Sequence, residues 1–218
     1  MKKKLITLAV SALCLPAMSF AADTLSVSKL WTYNHASTGV AGQTSEISAY
    51  DKLTNTVWVA GINGVDVLNA ASGSLVQHID TTAYGSINSV AIHNGLAAFA
   101  IESTVDRTSP GVVKLFDTSS RALTSGVNSI TVGALPDMLT FTADGSRLLV
   151  ANEATPTNYA GYDPAGSVSI INMTSRSVIT NAGFTGVPTT GSNIRTNTGM
   201  DYEPEYIAVN KAGTKAYV

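Results

Sequence analysis

An internal repeat of roughly 50 residues is the feature of this sequence that most constrains its fold. Each repeat begins with a short alternating or apolar segment, passes through a polar turn, and returns in a more continuous apolar segment. A glycine then opens a third segment that closes on Asp or Asn, and a Ser/Thr-rich turn leads into a fourth. These opening glycines are Gly64, Gly111 and Gly166. Four short strands in each repeat predict the blades of a β-propeller.

The repeats define three predicted blades and the first half of another, which begin near Glu46, Ser86, Leu135 and Glu203. A β-sandwich is the alternative, because it also combines many short strands with turn residues. The self-similarity of the repeats favours the propeller. We therefore predict an all-β fold made of four-stranded antiparallel propeller blades, about three and a half of them in an incomplete ring, over residues 22–218.

The first 21 residues have the organisation of a secretory signal peptide. Lys2–Lys4 form a basic start, Leu5–Pro16 form an apolar run, and Ser19-Phe20-Ala21 places small residues around a cleavage site. The apolar run is too short to cross a hydrocarbon core of ~30 Å as a helix, although an uncleaved anchor is the alternative. We predict cleavage after Ala21, a periplasmic or secreted protein of bacterial type, and no transmembrane segment in the mature chain.

Cysteine content and charge restrict the chemistry of the mature chain. Cys14 is the single cysteine and lies within the predicted signal peptide, so disulfides and thiolate metal sites are excluded. The formal net charge is −2, and it becomes more negative without Lys2–Lys4. Because binding to phosphate backbones requires a basic surface, nucleic acid is not an expected partner.

The last repeat stops early in comparison with the one before it. Val218 corresponds to Val150, after which the third repeat continues as Ala151-Asn152-Glu153. Since propellers usually close with ~4–8 blades, we expect this sequence to be the N-terminal part of a longer protein. A short propeller that closes by oligomerisation is the alternative.

Carboxylates recur at one end of the predicted blades. In antiparallel neighbours, the start of the first strand and the end of the second lie at the same rim, where Asn88 and Asp137 also stand. Oxygen ligands of this kind suit hard cations, so we predict a site for Ca²⁺ or another divalent cation, with no organic cofactor. The alternative is that these acids are solvated and cap strand ends. The predicted ligands are Glu102, Glu153, Asp163, Asp201, Glu203 and Glu205.

The histidines are not part of this prediction. His35, His78 and His93 are scattered along the sequence, and each is expected to be a surface residue rather than a ligand. No nucleophile elbow, zinc-protease pair of histidines or phosphate-binding loop occurs in the sequence.

Five segments carry a resemblance to a known family. They are ISAYDKLTN, YGSINSVAIHNGLAAFAIE, VGALPDMLTFTADGSRLLVANE, DPAGSVSIINM and DYEPEYIAVNKAGTKAYV. Together they resemble the choice-of-anchor I domain family, exported bacterial β-propellers related to phytase-like and atypical alkaline phosphatase proteins. The family usually continues with Gly-Glu-Pro after V-A-N-E, whereas this chain has Ala154-Thr155-Pro156 and lacks that carboxylate.

The resemblance implies an exported binding or interaction module with a small-molecule or cell-surface ligand. A metal-dependent phosphoesterase, of alkaline-phosphatase or phytase-like type, is the alternative function. In that case the carboxylates at the channel mouth would hold a metal that activates water. A purely structural propeller between other domains is a third possibility.

Overall fold

The computed structural model describes residues 26–191 and 202–218, and it is built from β-strands. The predicted signal peptide and its cleavage site lie outside the described residues, as does Asp201. The first sheet has the order β1-β2-β3-β4, with every neighbouring pair antiparallel. Its strands are β1 (Ser48–Asp51), β2 (Thr56–Gly61), β3 (Gly64–Asn69) and β4 (Leu75–Asp80). This sheet is blade 1.

Blade 2 has an interrupted outer strand. Its first three strands are β5 (Ile87–His93), β6 (Leu96–Ile101) and β7 (Pro110–Asp117). The outer position is shared by β8 (Ala122–Leu123) and β9 (Ser129–Ala134), which both pair with β7 in antiparallel orientation. Between them the backbone turns at Gly126, which has a positive φ of 71°.

Blade 3 repeats the simple order of blade 1, β10-β11-β12-β13. Its strands are β10 (Pro136–Phe141), β11 (Arg147–Asn152), β12 (Ser167–Asn172) and β13 (Ser177–Ala182). A two-stranded antiparallel hairpin follows, made of β14 (Ala208–Val209) and β15 (Ala216–Tyr217). The predicted architecture of four-stranded blades followed by the start of another is therefore confirmed.

The hydrophobic core lies between the sheets rather than within one layer. One buried cluster joins blades 1 and 2 around Trp58 and Phe99, and a second joins blades 2 and 3 around Leu115 and Leu148. A third includes Met138 of blade 3 together with Ile207, next to the final hairpin. Face-to-face packing of successive sheets is how propeller blades bury both of their faces.

The segment that precedes blade 1 contains a short 3₁₀ helix, His35–Thr38. Residues 31–43, which we call the strap, run from Trp31 through this helix to Gln43 and contact blade 1 along β3. Across the described residues, no helix is long and apolar enough to cross a membrane.

Candidate functional site

The strand register brings the predicted ends of the blades together. In blade 2, Ile87 at the start of β5 pairs with Ile101 at the end of β6. In blade 3, Pro136 at the start of β10 pairs with Asn152 at the end of β11. Residues that flank these pairs therefore share one rim, as the sequence predicts.

A cavity of about 220 Å³ opens at this rim between the three blades. Glu46, Glu102 and Asp137 contribute carboxylates to its wall, and the described residues that line it include neither Lys nor Arg. Asn88 donates a hydrogen bond from Nδ2 to Glu102 Oε1 at 3.2 Å, and the same nitrogen lies 3.1 Å from the Pro136 carbonyl oxygen. This amide therefore fixes the position of Glu102 while it bridges blades 2 and 3.

Asp137 lies at the electrostatic centre of this rim. Burial, followed by the charges of Glu153, Glu205, Glu46 and Glu102, raises the pKa of Asp137 from 3.8 to about 6. We call these five carboxylates the acidic mouth. Repulsion among like charges combined with partial desolvation is a pattern typical of functional sites.

Five of the six predicted metal ligands lie among the described residues, and they fall into two places. Glu102, Glu153 and Glu205 belong to the acidic mouth. Glu203 accepts a hydrogen bond from the Tyr159 hydroxyl at 2.6 Å. Glu203 and, to a smaller extent, Asp163 raise the pKa of that hydroxyl. Asp201 is the sixth and lies outside the described residues.

Two residues of the acidic mouth are absent from the predicted ligand set. Asp137 is recognisable in the sequence at the start of a first strand, but it is not among the predicted ligands. Glu46 stands at the start of the first repeat, two residues before β1, so the repeat alignment contains a signal that could have identified it.

The side chains of the rim do not form a preassembled metal shell in the described part of the chain. Within residues 26–191 and 202–218, no group of three or more His, Cys, Asp or Glu side chains is arranged to hold a metal ion. Glu153 instead accepts a hydrogen bond from Thr155 Oγ1 at 2.5 Å. The predicted divalent-cation site stays a prediction.

The expectation that the histidines are scattered surface residues is wrong for two of them. His35 and His78 both contact the carboxylate of Asp66, at 2.5 and 2.6 Å. His93 lies in the β5–β6 hairpin, where its ring packs near that of Phe141 with 5.7 Å between centroids. The sequence did not predict the contact of His35 with Asp66, because His35 precedes the first repeat and no repeat contains an equivalent residue.

The opposite end of the blades has a structural role. Asp144, in the β10–β11 turn, accepts hydrogen bonds from Thr142 Oγ1 at 2.6 Å and from Ser146 Oγ at 2.9 Å. The Thr142 hydroxyl, followed by the Ser146 backbone and hydroxyl, lowers the pKa of Asp144 to about 2. Asp137 and Asp144 therefore have opposite electrostatic environments within blade 3.

These environments predict opposite effects of neutralising the two side chains. The pKa of Asp137 is raised, so the stability that its protonated form contributes is present below pH 3.8 and is lost as pH rises through about 6. Asp137→Asn should therefore be more stable than wild type by about 1–2 kcal/mol near neutral pH, a value reduced by solvent screening. The difference should vanish below about pH 4, as measured by urea unfolding at several pH values.

Asp144→Asn is the matched control for this measurement. The pKa of Asp144 is lowered, so its contribution is present above pH 3.8 and is lost as pH falls through about 2. This variant should be less stable than wild type at neutral pH and converge with it in strong acid. A destabilising effect of Asp137→Asn at neutral pH would contradict the assignment of Asp137 as a repelled carboxylate.

Antiparallel sheets that pack one after another, with carboxylates at one end of their strands, define a β-propeller-type module. The chain belongs to the choice-of-anchor I domain family, whose model matches residues 46–218. The matched region contains all three blades, the final hairpin and the whole acidic mouth.

Solved structures also resemble this fold. Hydrazine synthase of Kuenenia stuttgartiensis superposes with a TM-score of 0.50 and 19% sequence identity, over 62% of this chain and 36% of that one. At this level of identity the likeness concerns the fold alone. The chain thus spans little more than a third of that relative's length. Among curated proteins, none matches this sequence.

Proposed function

We propose that this protein is an exported β-propeller interaction module that binds a cationic group at its acidic mouth. Membership of the choice-of-anchor I family supports an exported interaction protein. The observation that carries the choice of ligand is the cavity wall, where Glu46, Glu102 and Asp137 supply carboxylates and the described lining includes neither Lys nor Arg. Burial, and after it the charges of four glutamates, raises the pKa of Asp137, which agrees with this choice. A cation in the cavity would relieve the repulsion that these side chains exert on one another.

The chemistry of the lining favours a cation bound by oxygen atoms. Glu46, Glu102 and Asp137 supply carboxylates, and Asn88 holds Glu102 in place with its amide. Because the carboxylates are not preassembled, binding requires them to move toward the cation. Loosely organised oxygen sites of extracellular modules bind Ca²⁺ with dissociation constants of about 10⁻⁴–10⁻³ M, and the same range is expected here.

Calcium titration at two pH values tests this proposal. Above about pH 7, Asp137 is ionised, and Ca²⁺ should bind with measurable heat and raise the melting temperature. Near pH 5, Asp137 is protonated, since its pKa is about 6, and the affinity should fall. Asp137→Asn should weaken binding about tenfold at the higher pH, whereas Asp144→Asn should bind like wild type.

The outcomes separate the candidate functions. Binding of tetramethylammonium but not Ca²⁺ would identify an organic cation as the ligand class, and binding of neither would contradict the proposal. In parallel, p-nitrophenyl phosphate should be assayed with Ca²⁺ and with EDTA. Metal-dependent hydrolysis that is lost in Glu153→Ala would instead support the phosphoesterase alternative, in which the metal activates water.

A further inference from the structure

The two ends of the blades carry charge of opposite sign. Each first strand runs from the rim of the acidic mouth to a hairpin turn, and the second strand returns antiparallel to it. We call the end that contains these turns, together with the β3–β4, β7–β8 and β12–β13 turns, the hairpin end. A strand of six residues such as β2 separates the two ends by about 20 Å. This separation exceeds the Debye length of about 8 Å, so the two ends do not neutralise each other within one molecule.

Exposed basic side chains collect at the hairpin end. Lys52 lies in the β1–β2 turn and Lys211 in the β14–β15 turn, and both are exposed. Arg147 at the start of β11 and Lys215 just before β15 are exposed as well. Among the residues that the structure describes, no carboxylate forms an ion pair with any of these four side chains. Their charge is therefore available to a partner.

The other Arg and Asp side chains of the hairpin end make local contacts. Arg121 donates a hydrogen bond to a glutamine of blade 1, and Arg176 donates to backbone carbonyls of blade 2. Asp51 is buried. Asp117 and Asp144 accept hydrogen bonds from serine side chains of their own turns. These carboxylates keep the structural role described above, and the exposed Lys and Arg side chains give this end its positive sign.

The acidic mouth presents the complementary charge at the other end. Its carboxylates surround the cavity of about 220 Å³, whose described lining contains neither Lys nor Arg. In the described loops at this end of the blades, Arg107 is the single basic residue, and its Nε atom is buried. An ammonium group that entered this cavity would meet carboxylates that have no cationic partner of their own.

Each end also has an exposed apolar side chain beside its charges. Leu53 follows Lys52 in the β1–β2 turn and is 67% exposed. Ile62 lines the cavity together with Glu46 and Glu102 and is 48% exposed. The hairpin end thus offers an apolar group next to a cation, and the mouth offers an apolar group next to carboxylates. Protein interfaces commonly combine apolar contacts with such polar ones.

We propose that copies of this chain associate head to tail, with the Lys52 ammonium group of one copy bound in the acidic mouth of the next. The inference rests on the proposed function, because Lys52 takes the place of the cation in the mouth. Since the donor and the acceptor lie on opposite ends, each added copy leaves one free end of each kind, and the assembly grows as an open chain. An interface of this kind weakens as salt concentration rises.

Analytical ultracentrifugation of the full chain in EDTA tests the association. Wild type should form dimers and longer species as its concentration rises at about 50 mM NaCl, with an apparent dissociation constant about tenfold higher at about 300 mM. Lys52→Glu should raise that constant at least about tenfold at the lower salt concentration. Lys52→Arg keeps the positive charge and should associate like wild type. Circular dichroism verifies that the variants are folded.

A mixing experiment separates head-to-tail association from a symmetric dimer. The donor-deficient variant Lys52→Glu keeps its mouth, whereas the acceptor-deficient double variant Glu102→Gln, Asp137→Asn keeps Lys52. Each variant alone should be monomeric, and an equimolar mixture should form a one-to-one complex that grows no further. Wild type that is monomeric at both salt concentrations, association that persists in Lys52→Glu, or a mixture that stays monomeric would overturn the proposal. Binding of wild type to phosphatidylglycerol vesicles without self-association would overturn it in favour of a membrane partner.

Calcium titration distinguishes failure of this inference from failure of the proposed Ca²⁺ site. Lys52→Glu is the protein for this measurement, because its mouth is intact and no neighbouring copy competes for it. If this variant binds Ca²⁺ while wild type does not associate, the head-to-tail interface alone is wrong. If wild type associates and Ca²⁺ neither binds to Lys52→Glu nor dissociates the wild-type assembly, Ca²⁺ is wrong as the ligand and the interface stands.

Discussion

Phe99→Ala is expected to lower the free energy of unfolding by about 3–5 kcal/mol. Phe99 lies in the middle of β6 without exposed surface. Its ring stacks on that of Phe116 with 4.5 Å between centroids, and it meets the Trp58 ring of blade 1 at 6.1 Å. Removing the ring therefore leaves a cavity where blades 1 and 2 pack against each other.

The neighbours of Phe99 are poorly able to fill that cavity. Trp58 donates a hydrogen bond from Nε1 to Thr56 Oγ1 at 2.8 Å, so a shift of its ring would break a buried polar contact. Phe116 is held by the pairing of β7 with β6, in which it stands opposite Ala97. When the surrounding side chains relax only partly, most of the cavity remains and the loss of unfolding free energy stays large.

Urea unfolding followed by circular dichroism provides the measurement. Tyr162→Ala is the matched control, because it also removes an aromatic ring but from a side chain that is 73% exposed. This control should change the free energy of unfolding by no more than about 0.5 kcal/mol. A loss of less than about 1 kcal/mol in Phe99→Ala would contradict the conclusion that the two blades are joined through this cluster.

The blade architecture was predictable because each repeat encodes it locally. Apolar strands and polar turns recur in the same order, and residues such as Asn94 and Asp144 stand where a hairpin must turn. Asn94 indeed adopts a positive φ of 45°, a conformation that asparagine tolerates better than most residues. The interrupted outer strand of blade 2 was not predictable in this way. The Ser/Thr-rich segment around Gly126 has a composition that is compatible both with a continuous edge strand and with a turn.

The sequence was sufficient to predict where the acidic mouth lies, but not all of the residues that form it. The antiparallel pairing of first and second strands places Glu102 and Glu153 at one rim, and the repeat alone is sufficient to show this. The central role of Asp137 depends on how closely several blades approach each other, which is a property of tertiary packing. The contact of His35 with Asp66 could not be predicted from the repeats at all. His35 belongs to the strap, which precedes the first repeat, whereas Asp66 lies in the middle of β3.

Gly111→Ala is expected to lower the free energy of unfolding by about 3 kcal/mol, at the upper end of typical overpacking costs. A Cβ atom at this position would lie 2.5 Å from Pro136 Cδ and 2.6 Å from the carbonyl oxygen of Ile101. Neither neighbour moves easily, because Pro136 is a rigid ring at the start of β10 and Ile101 belongs to the paired strand β6. The glycine that opens the third strand of the repeat is thus required for close approach of blades 2 and 3.

Gly183→Ala is the control that isolates this contact. A Cβ atom at Gly183 would meet nothing within 4 Å, and its φ lies outside the left-handed region. Both substitutions restrict the unfolded chain equally, which by itself would stabilise the protein by about 0.4–1 kcal/mol. The difference between the two variants therefore measures the clash with Pro136 and Ile101 alone. Because Asp137 follows Pro136 directly, Gly111→Ala should also weaken Ca²⁺ binding at the acidic mouth. If the two variants had equal free energies of unfolding, the close packing of blades 2 and 3 would be contradicted.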